Sequence, residues 1–402
     1  MYRLLIMLLV CLPQTTQAFY QWQADDKSVE LRGLIRGIGI AADNANDERL
    51  FAKDKLLSGA GFGRLMFDAQ TRGLSFEAHV VQSVIDSELF AGGSRINSAL
   101  EIERSDALHW RFANANLDLV VDRLNVQFSG DNINIKLGRQ PINLATTYYF
   151  TPNDFFAPFA AQTFYRNYKP GVDAARLDWQ WGELSQLSVY TVLNYPTESI
   201  NSTSRQSSPN WSDTSILVRV STLIDTFELA LLFGEDQGDD IVGLDFQGEL
   251  FDWLGVRGEG HLRFPDELSQ SRDEKFSLAL EHRFETSLTI RLEQFHQSSG
   301  AGWQQDYALT RQNDRLYLAK NYTALGASYE ITPFLNGDAV WIYNQIDTSS
   351  LLALFTTYSL SDESELSLGA NLPIGKQPQN GMINSEFGSY PKSVTAEYRI
   401  YF

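Results

Sequence analysis

The sequence predicts an all-β fold, a transmembrane antiparallel β-barrel of eighteen strands, with sixteen as the alternative count. Three observations carry this. Apolar and polar residues alternate with period two along most of the chain, which gathers charges on one side of a strand but would scatter them around a helix. Tight turns alternate with longer connections. No apolar run reaches the roughly 18 residues a spanning helix needs; the longest, Leu4 to Leu12, is nine residues. The mean hydropathy of −0.24 suits a barrel, because such a wall mixes a lipid phase with a water phase.

Residues 1–18 read as a secretory signal: Arg3, the apolar run, Pro13, then Thr16-Gln17-Ala18 ahead of Phe19. A short buried helix is the plainer alternative. A lipoprotein reading through Cys11 meets bulky Val10 where a small residue is needed. Cleavage would leave 19–402, which is 384 of the 402 residues, and remove the one cysteine, so no disulfide, thiolate metal site or redox pair is expected. The formal charge would move from −18 to −19, Arg3 being the one charged residue lost. A chain this acidic offers no basic excess for nucleic acid.

Strands are expected at 28–41, 57–70, 74–86, 115–128, 133–140, 171–181, 185–195, 214–223, 227–236, 240–251, 255–264, 275–284, 286–296, 315–331, 335–346, 350–360, 364–372 and 393–402. Ala99 to Arg104 is a possible further strand. Tight turns fall at 71–73, 130–132, 182–183, 225–226, 252–253, 332–333 and 361–363. Between them lie longer, Ser/Asn/Gln/Gly-rich connections such as 140–170, 196–213 and 373–392. The phase slips between Val121 and Leu124, which predicts a bulge at Asp122-Arg123. No linker or plug-sized segment precedes the first strand, so one barrel accounts for the length.

The last ten residues alternate Val394, Ala396, Tyr398, Ile400 and Phe402 against Thr395, Glu397 and Arg399. This resembles the C-terminal strand of Gram-negative outer-membrane barrels, in which a terminal Phe is the signal read by the barrel-assembly machinery. An amphipathic edge strand of a soluble protein is the alternative. The resemblance implies an outer-membrane location, with lipid and lipopolysaccharide as neighbours.

The polar phase collects Arg32, Arg36, Arg64, Asp118, Lys136, Arg176, Asp178, Arg219, Asp245, Glu249, Arg257, Glu259, Arg263, Glu281, Arg283, Arg291, Glu293 and Arg399. A barrel this wide keeps an aqueous lumen, and charges on its wall set which solutes pass. Cross-strand ion pairs that stiffen the wall are the alternative role. Lys136-Leu-Gly-Arg-Gln-Pro141, Tyr148-Tyr-Phe-Thr-Pro-Asn-Asp-Phe-Phe-Ala-Pro158 and Tyr168-Lys-Pro-Gly-Val-Asp173 resemble a segment of Gram-negative porin-like families. In general porins a long loop at this point narrows the lumen. The resemblance therefore makes Arg139, Asp154, Arg166 and Lys169 constriction candidates, joined on the wall by Arg176, Arg257, Glu259, Arg263, Arg291 and Glu293. The acidic loop run facing a dense arginine ladder, found in trimeric general porins, is missing. The solute is thus not carried over.

His296-Gln-Ser-Ser-Gly300 resembles the His-Gln-Ser-Asn-Gly motif of outer-membrane phospholipase. His-x-Ser on a strand puts a base and a hydroxyl on one face, and Asp314 stands where that family has an orienting Asn. Ser299 in place of Asn and the much greater length depart from the family. The other histidines, His79, His109, His261 and His282, lack metal-site spacing. Acidic runs at 43–48, 236–240 and 266–274 read as solvated loops or weak calcium sites. No cofactor, metal or catalytic residue is expected. The function expected is passive diffusion of small hydrophilic solutes through an outer-membrane porin-like channel. An outer-leaflet lipid enzyme and a non-conducting attachment barrel are the alternatives.

Overall fold

The computed structural model describes residues 19–51, 54–85, 111–114, 117–195, 209–266, 271–307 and 316–402. Its strands are β1 (Tyr20–Ala24), β2 (Lys27–Asp43), β3 (Lys55–Thr71), β4 (Leu74–Ile85), β5 (Arg111–Asn114), β6 (Leu117–Ser129), β7 (Ile133–Gln140), β8 (Val172–Trp181), β9 (Ser185–Asn194), β10 (Asn210–Ile224), β11 (Phe227–Asp236), β12 (Asp239–Leu250), β13 (Leu254–Phe264), β14 (Asp273–Arg283), β15 (Thr289–Gln297), β16 (Asn321–Thr332), β17 (Leu335–Asn344), β18 (Ser350–Ser361), β19 (Ser364–Ile374) and β20 (Lys392–Tyr401).

Eighteen of them form the wall. Each pairs antiparallel with its neighbours, and β2 closes the ring on β20 with Gly37 opposite Tyr398. Closure leaves no free edge, the condition for crossing a bilayer with strands. β1 and β5 are additional: the first folds back on β2, and the second pairs with β6 alone. Neither was legible in the alternation. The expected strand 315–331 begins later, at Asn321, because the residues ahead of it belong to a loop that Ala301 and Ala319 bridge. The expected bulge is present: the β4–β6 register shifts between His79 and Val80, leaving Asp122 between Val121 and Arg123 unpaired. The possible strand at Ala99 to Arg104 lies outside the described residues, as do the signal segment 1–18 and Asp314.

The expected tight turns all join consecutive strands at one end of the barrel. Phe251 and Asp252 both take positive φ, 59° and 60°, the backbone a right-twisted two-strand connection favours. Chain ends meet at this rim, where the Gly33 amide donates to the Phe402 carbonyl at 2.6 Å and the Phe402 amide returns to Gly33 at 3.0 Å.

Outward positions are apolar and uncovered, among them Leu229, Leu231, Phe233, Leu244, Leu278, Leu292 and Leu368. Trp179, Trp181, Phe251, Trp253, Phe284 and Phe334 are exposed near the tight-turn rim, as an interfacial aromatic girdle requires. Inward positions differ between the halves. Toward the long-loop rim they are buried and apolar, in one cluster containing Phe150, Phe295, Tyr322, Ile342 and Phe387 and a second containing Ile142, Phe155, Leu217 and Ile241. Loop residues make up part of both clusters, so the core of this protein lies inside the barrel.

Candidate functional site

The connection from β7 to β8, residues 141–171, enters the lumen and crosses to the far wall. Two carboxylates receive it. Glu293 on β15 accepts the amides of Tyr148 at 3.0 Å, Tyr149 at 2.9 Å and Phe150 at 2.7 Å, together with the Ser277 hydroxyl at 2.7 Å. Glu259 on β13 accepts the Thr146 and Thr147 amides. The Thr146 hydroxyl donates to Asp245, and Arg257 donates to the Thr146 carbonyl. Five backbone donors that have no sheet partner are thereby satisfied by two buried carboxyl groups, which removes the cost of leaving those amides unpaired.

Further along, the Asn153 amide donates to the Leu244 carbonyl at 3.1 Å and its oxygen meets His261 Nδ1 at 3.2 Å. Phe150 stacks on Phe295 at 4.8 Å, and Phe164 on Phe355 at 5.3 Å. The Tyr149 hydroxyl occupies the space beside Gly326, where a Cβ would stand 1.6 Å from it. Here the glycine is required by close approach rather than by its backbone angle.

Wall arginines then clamp the loop tyrosines. Arg257 and Arg291 lie 4.6 and 4.8 Å from the Tyr148 ring. Arg36 and Arg399 lie 4.3 and 4.6 Å from Tyr165, and Arg64 lies 4.2 Å from Tyr168. Such contacts contribute about 0.5–2 kcal/mol each as water is excluded. Burial and the nearby Glu281 carboxylate push the Tyr148 phenol up to about 12, so it stays neutral between its two cations.

Each expected site residue has a definite place. Lys169 pairs with Asp154 inside the loop; burial pushes its ammonium below the usual lysine range against the pull of that carboxylate. Arg166 ties the loop to itself, donating to the carbonyls of Thr163 at 2.7 Å and Tyr148 at 2.5 Å. Arg176 pairs with Asp178 at 2.8 Å, Arg291 with Glu281 at 2.6 Å, and Arg263 with Asp236 and Asp239 at the rim. Glu259 and Glu293 are buried beneath the loop.

Arg139 is a correction. In the register it stands opposite outward Leu124 and opposite Asp173, whereas Lys136 opposes inward Gln127 and Arg176. It donates to both oxygens of Asp173 at 2.8 Å, and Tyr195 donates to the same carboxylate at 2.9 Å. This network floors an outer groove of about 580 Å³ walled by Leu124, Leu137, Leu193 and Trp211. Strand alternation sends the side chain away from the lumen.

The His-x-Ser pair does not join. His296 Nδ1 contacts Asn321 at 2.7 Å, while the Ser298 hydroxyl donates to Asp273 at 2.7 Å and accepts the Glu274 amide at 2.8 Å. His296 does take the outward phase, beside exposed Phe276. Of the acidic runs, Asp236 and Asp239 are committed to Arg263, and among the described residues no group of three potential ligands is arranged to hold a metal.

Between the loop and the far wall remains an open cavity of about 460 Å³. The loop lines it with Phe164, Tyr165 and Asn167, and the wall with Arg283, Ser328, Glu330, Asn336, Asp338, Phe355, Thr357, Glu365 and Arg399. A charged lumen narrowed by an internal loop is a device for admitting small solutes selectively.

Solved structures share this architecture. Acinetobacter baumannii OccAB3 superposes with a TM-score of 0.61 at 11% identity, over 93% of this chain and 99% of that one. The fold is that of these outer-membrane β-barrels. Pseudomonas aeruginosa OccK9 (OpdG) gives 0.62 at 12% identity over 93% and 98%, and Pseudomonas aeruginosa OpdK, solved with vanillate, gives 0.58 at 10% over 92% and 98%. No sequence-family model and no curated protein sequence matches the chain.

The clamping tyrosines and the pair Phe164 and Phe355 were not singled out by sequence reasoning. The signal available was the aromatic density of 148–168, which is high for a solvated loop.

Proposed function

We propose that the protein is an outer-membrane porin-like channel for passive diffusion of small hydrophilic solutes. The observation that carries this is the 141–171 loop, lodged across the lumen while leaving an open cavity of about 460 Å³ against the far wall. The porin-like architecture of the ring supports it. Arg176, Arg257, Glu259, Arg263, Arg291 and Glu293 are assigned to the lumen wall, and Asp154, Arg166 and Lys169 to the framework of the narrowing loop. In this reading the apolar outer face meets lipid and lipopolysaccharide, residues 1–18 direct export, and the strand ending in Phe402 is read by the assembly machinery. No catalytic step is included.

The test is reconstitution of the folded protein in planar bilayers. Stepwise current at fixed voltage is expected. A barrel of heat-modifiable mobility that carries no current overturns the channel reading and leaves the attachment role.

A further inference from the structure

Five charged residues line the cavity beneath the loop: Arg283, Glu330, Asp338, Glu365 and Arg399. Two of them are neutralised locally. Arg399 contacts Glu397 at 3.0 Å and Glu365 at 3.4 Å, and Arg36 contacts Glu397 at 2.9 Å, so two arginines and two glutamates balance. Arg283, Glu330 and Asp338 form no ion pair among the described residues. Their sum is one negative charge.

Position decides which of these charges a solute meets. The register runs in one row from Arg283 on β14 to Thr289, Ser328, Asp338 and Phe355. Asp338 therefore lies three strand spacings from Arg283, about 14 Å at roughly 4.8 Å each. That exceeds the Debye length of about 8 Å at physiological salt, so Arg283 leaves the field of Asp338 standing. Glu330 follows Ser328 by two residues on the same inward phase and adds to it. Phe355, directly opposite Asp338, stacks on Phe164 of the loop and places an apolar wall beside the carboxylate. A carboxylate flanked by aromatic rings suits an ammonium group carried on a hydrocarbon body.

We infer that this cavity favours cationic solutes, organic ammonium ions in particular, and that Asp338 determines the preference. The inference rests on the channel reading and deepens it. One unit charge about 7 Å from a permeating ion, at the dielectric of water, changes its local concentration about threefold.

The experiment is the reversal potential of the full-length protein in planar bilayers under a potassium chloride gradient, repeated with butylammonium chloride. The wild type is expected to select cations, with butylammonium more permeant relative to chloride than its size alone allows. Asp338→Asn should lower the cation-to-anion permeability ratio about sevenfold, since the cation loses and the anion gains a factor of about 2.7, and Arg283→Gln should leave it level or raise it. Glu330→Gln provides a second reading in the same direction if the Asp338 variant does not fold. Anion selectivity in the wild type, or an unchanged ratio in both acidic variants, overturns this inference while conductance stands. Absence of any current overturns the channel reading itself.

Discussion

Glu293 offers the sharpest test of how the lumen is narrowed. Replacing it with alanine removes the acceptor of three backbone amides and one hydroxyl at a site of zero exposure. A buried donor left without an acceptor costs about 1–3 kcal/mol. Taking the low end for four donors gives about 4 kcal/mol, a shift near 10³ in the equilibrium between lodged and released loop. Phe150 keeps its stack on Phe295, a contact of about 2–3 kcal/mol from apolar burial, so the loss falls on the amides first. Hydrogen exchange at Tyr148, Tyr149 and Phe150 in E293A should accelerate about 10³-fold while the amides of β15 and β16 stay protected. Glu293→Gln keeps a neutral oxygen and should fall between the two. Unchanged exchange at these three amides would refute the assignment of Glu293 as the loop's anchor. Equal acceleration throughout the wall would refute the separation of loop from barrel.

Three other outcomes follow from the same geometry. Arg139→Ala should lower the temperature at which the folded band converts in gels, since breaking a buried ion pair costs about 3–5 kcal/mol, yet leave single-channel conductance unchanged; altered conductance would put Arg139 back in the lumen. Gly33→Ala would set a Cβ 2.2 Å from the Phe402 ring, costing about 1–3 kcal/mol by overpacking. The yield of heat-modifiable barrel should fall, and combining it with Phe402→Ala should remove the penalty, a coupling that a double-mutant cycle measures. Ser298→Ala should leave phospholipid profiles of vesicles unchanged, because its hydroxyl donates to Asp273 rather than to His296; lost hydrolysis would restore the enzyme reading.

Much of the wall was legible because the strand period is two and the interior is wet. Alternation placed most strands, the seven tight turns it named and the bulge at Asp122, but not the turns at 25–26, 237–238 and 285–286. It also contained the correct side for Arg139: Lys136 in and Leu137 out require Arg139 to point out, and likeness to porin loops outweighed that count. The short β1 and β5 carry too few residues for alternation to register. The commitment of Glu259 and Glu293 was not legible at all. Both read as inward charges, which they are, but that a carboxylate will accept amides of a distant loop depends on a fold that one strand cannot express. The same limit hid Asp338, whose importance lies in what its neighbours across the row fail to neutralise.

The anchors of the loop have one consequence for the order of events during folding. Thr146 and Glu259 are separated by 113 residues, and Phe150 and Glu293 by 143. Nothing inside the loop or its own hairpin supplies the missing acceptors, so the loop cannot settle until the opposite side of the ring has been made. Contacts of such long sequence separation form late. The seating of the loop therefore follows the joining of β13 and β15 to the wall, while the seam between β2 and β20, whose Arg36 and Glu397 are 361 residues apart, depends on separations longer still.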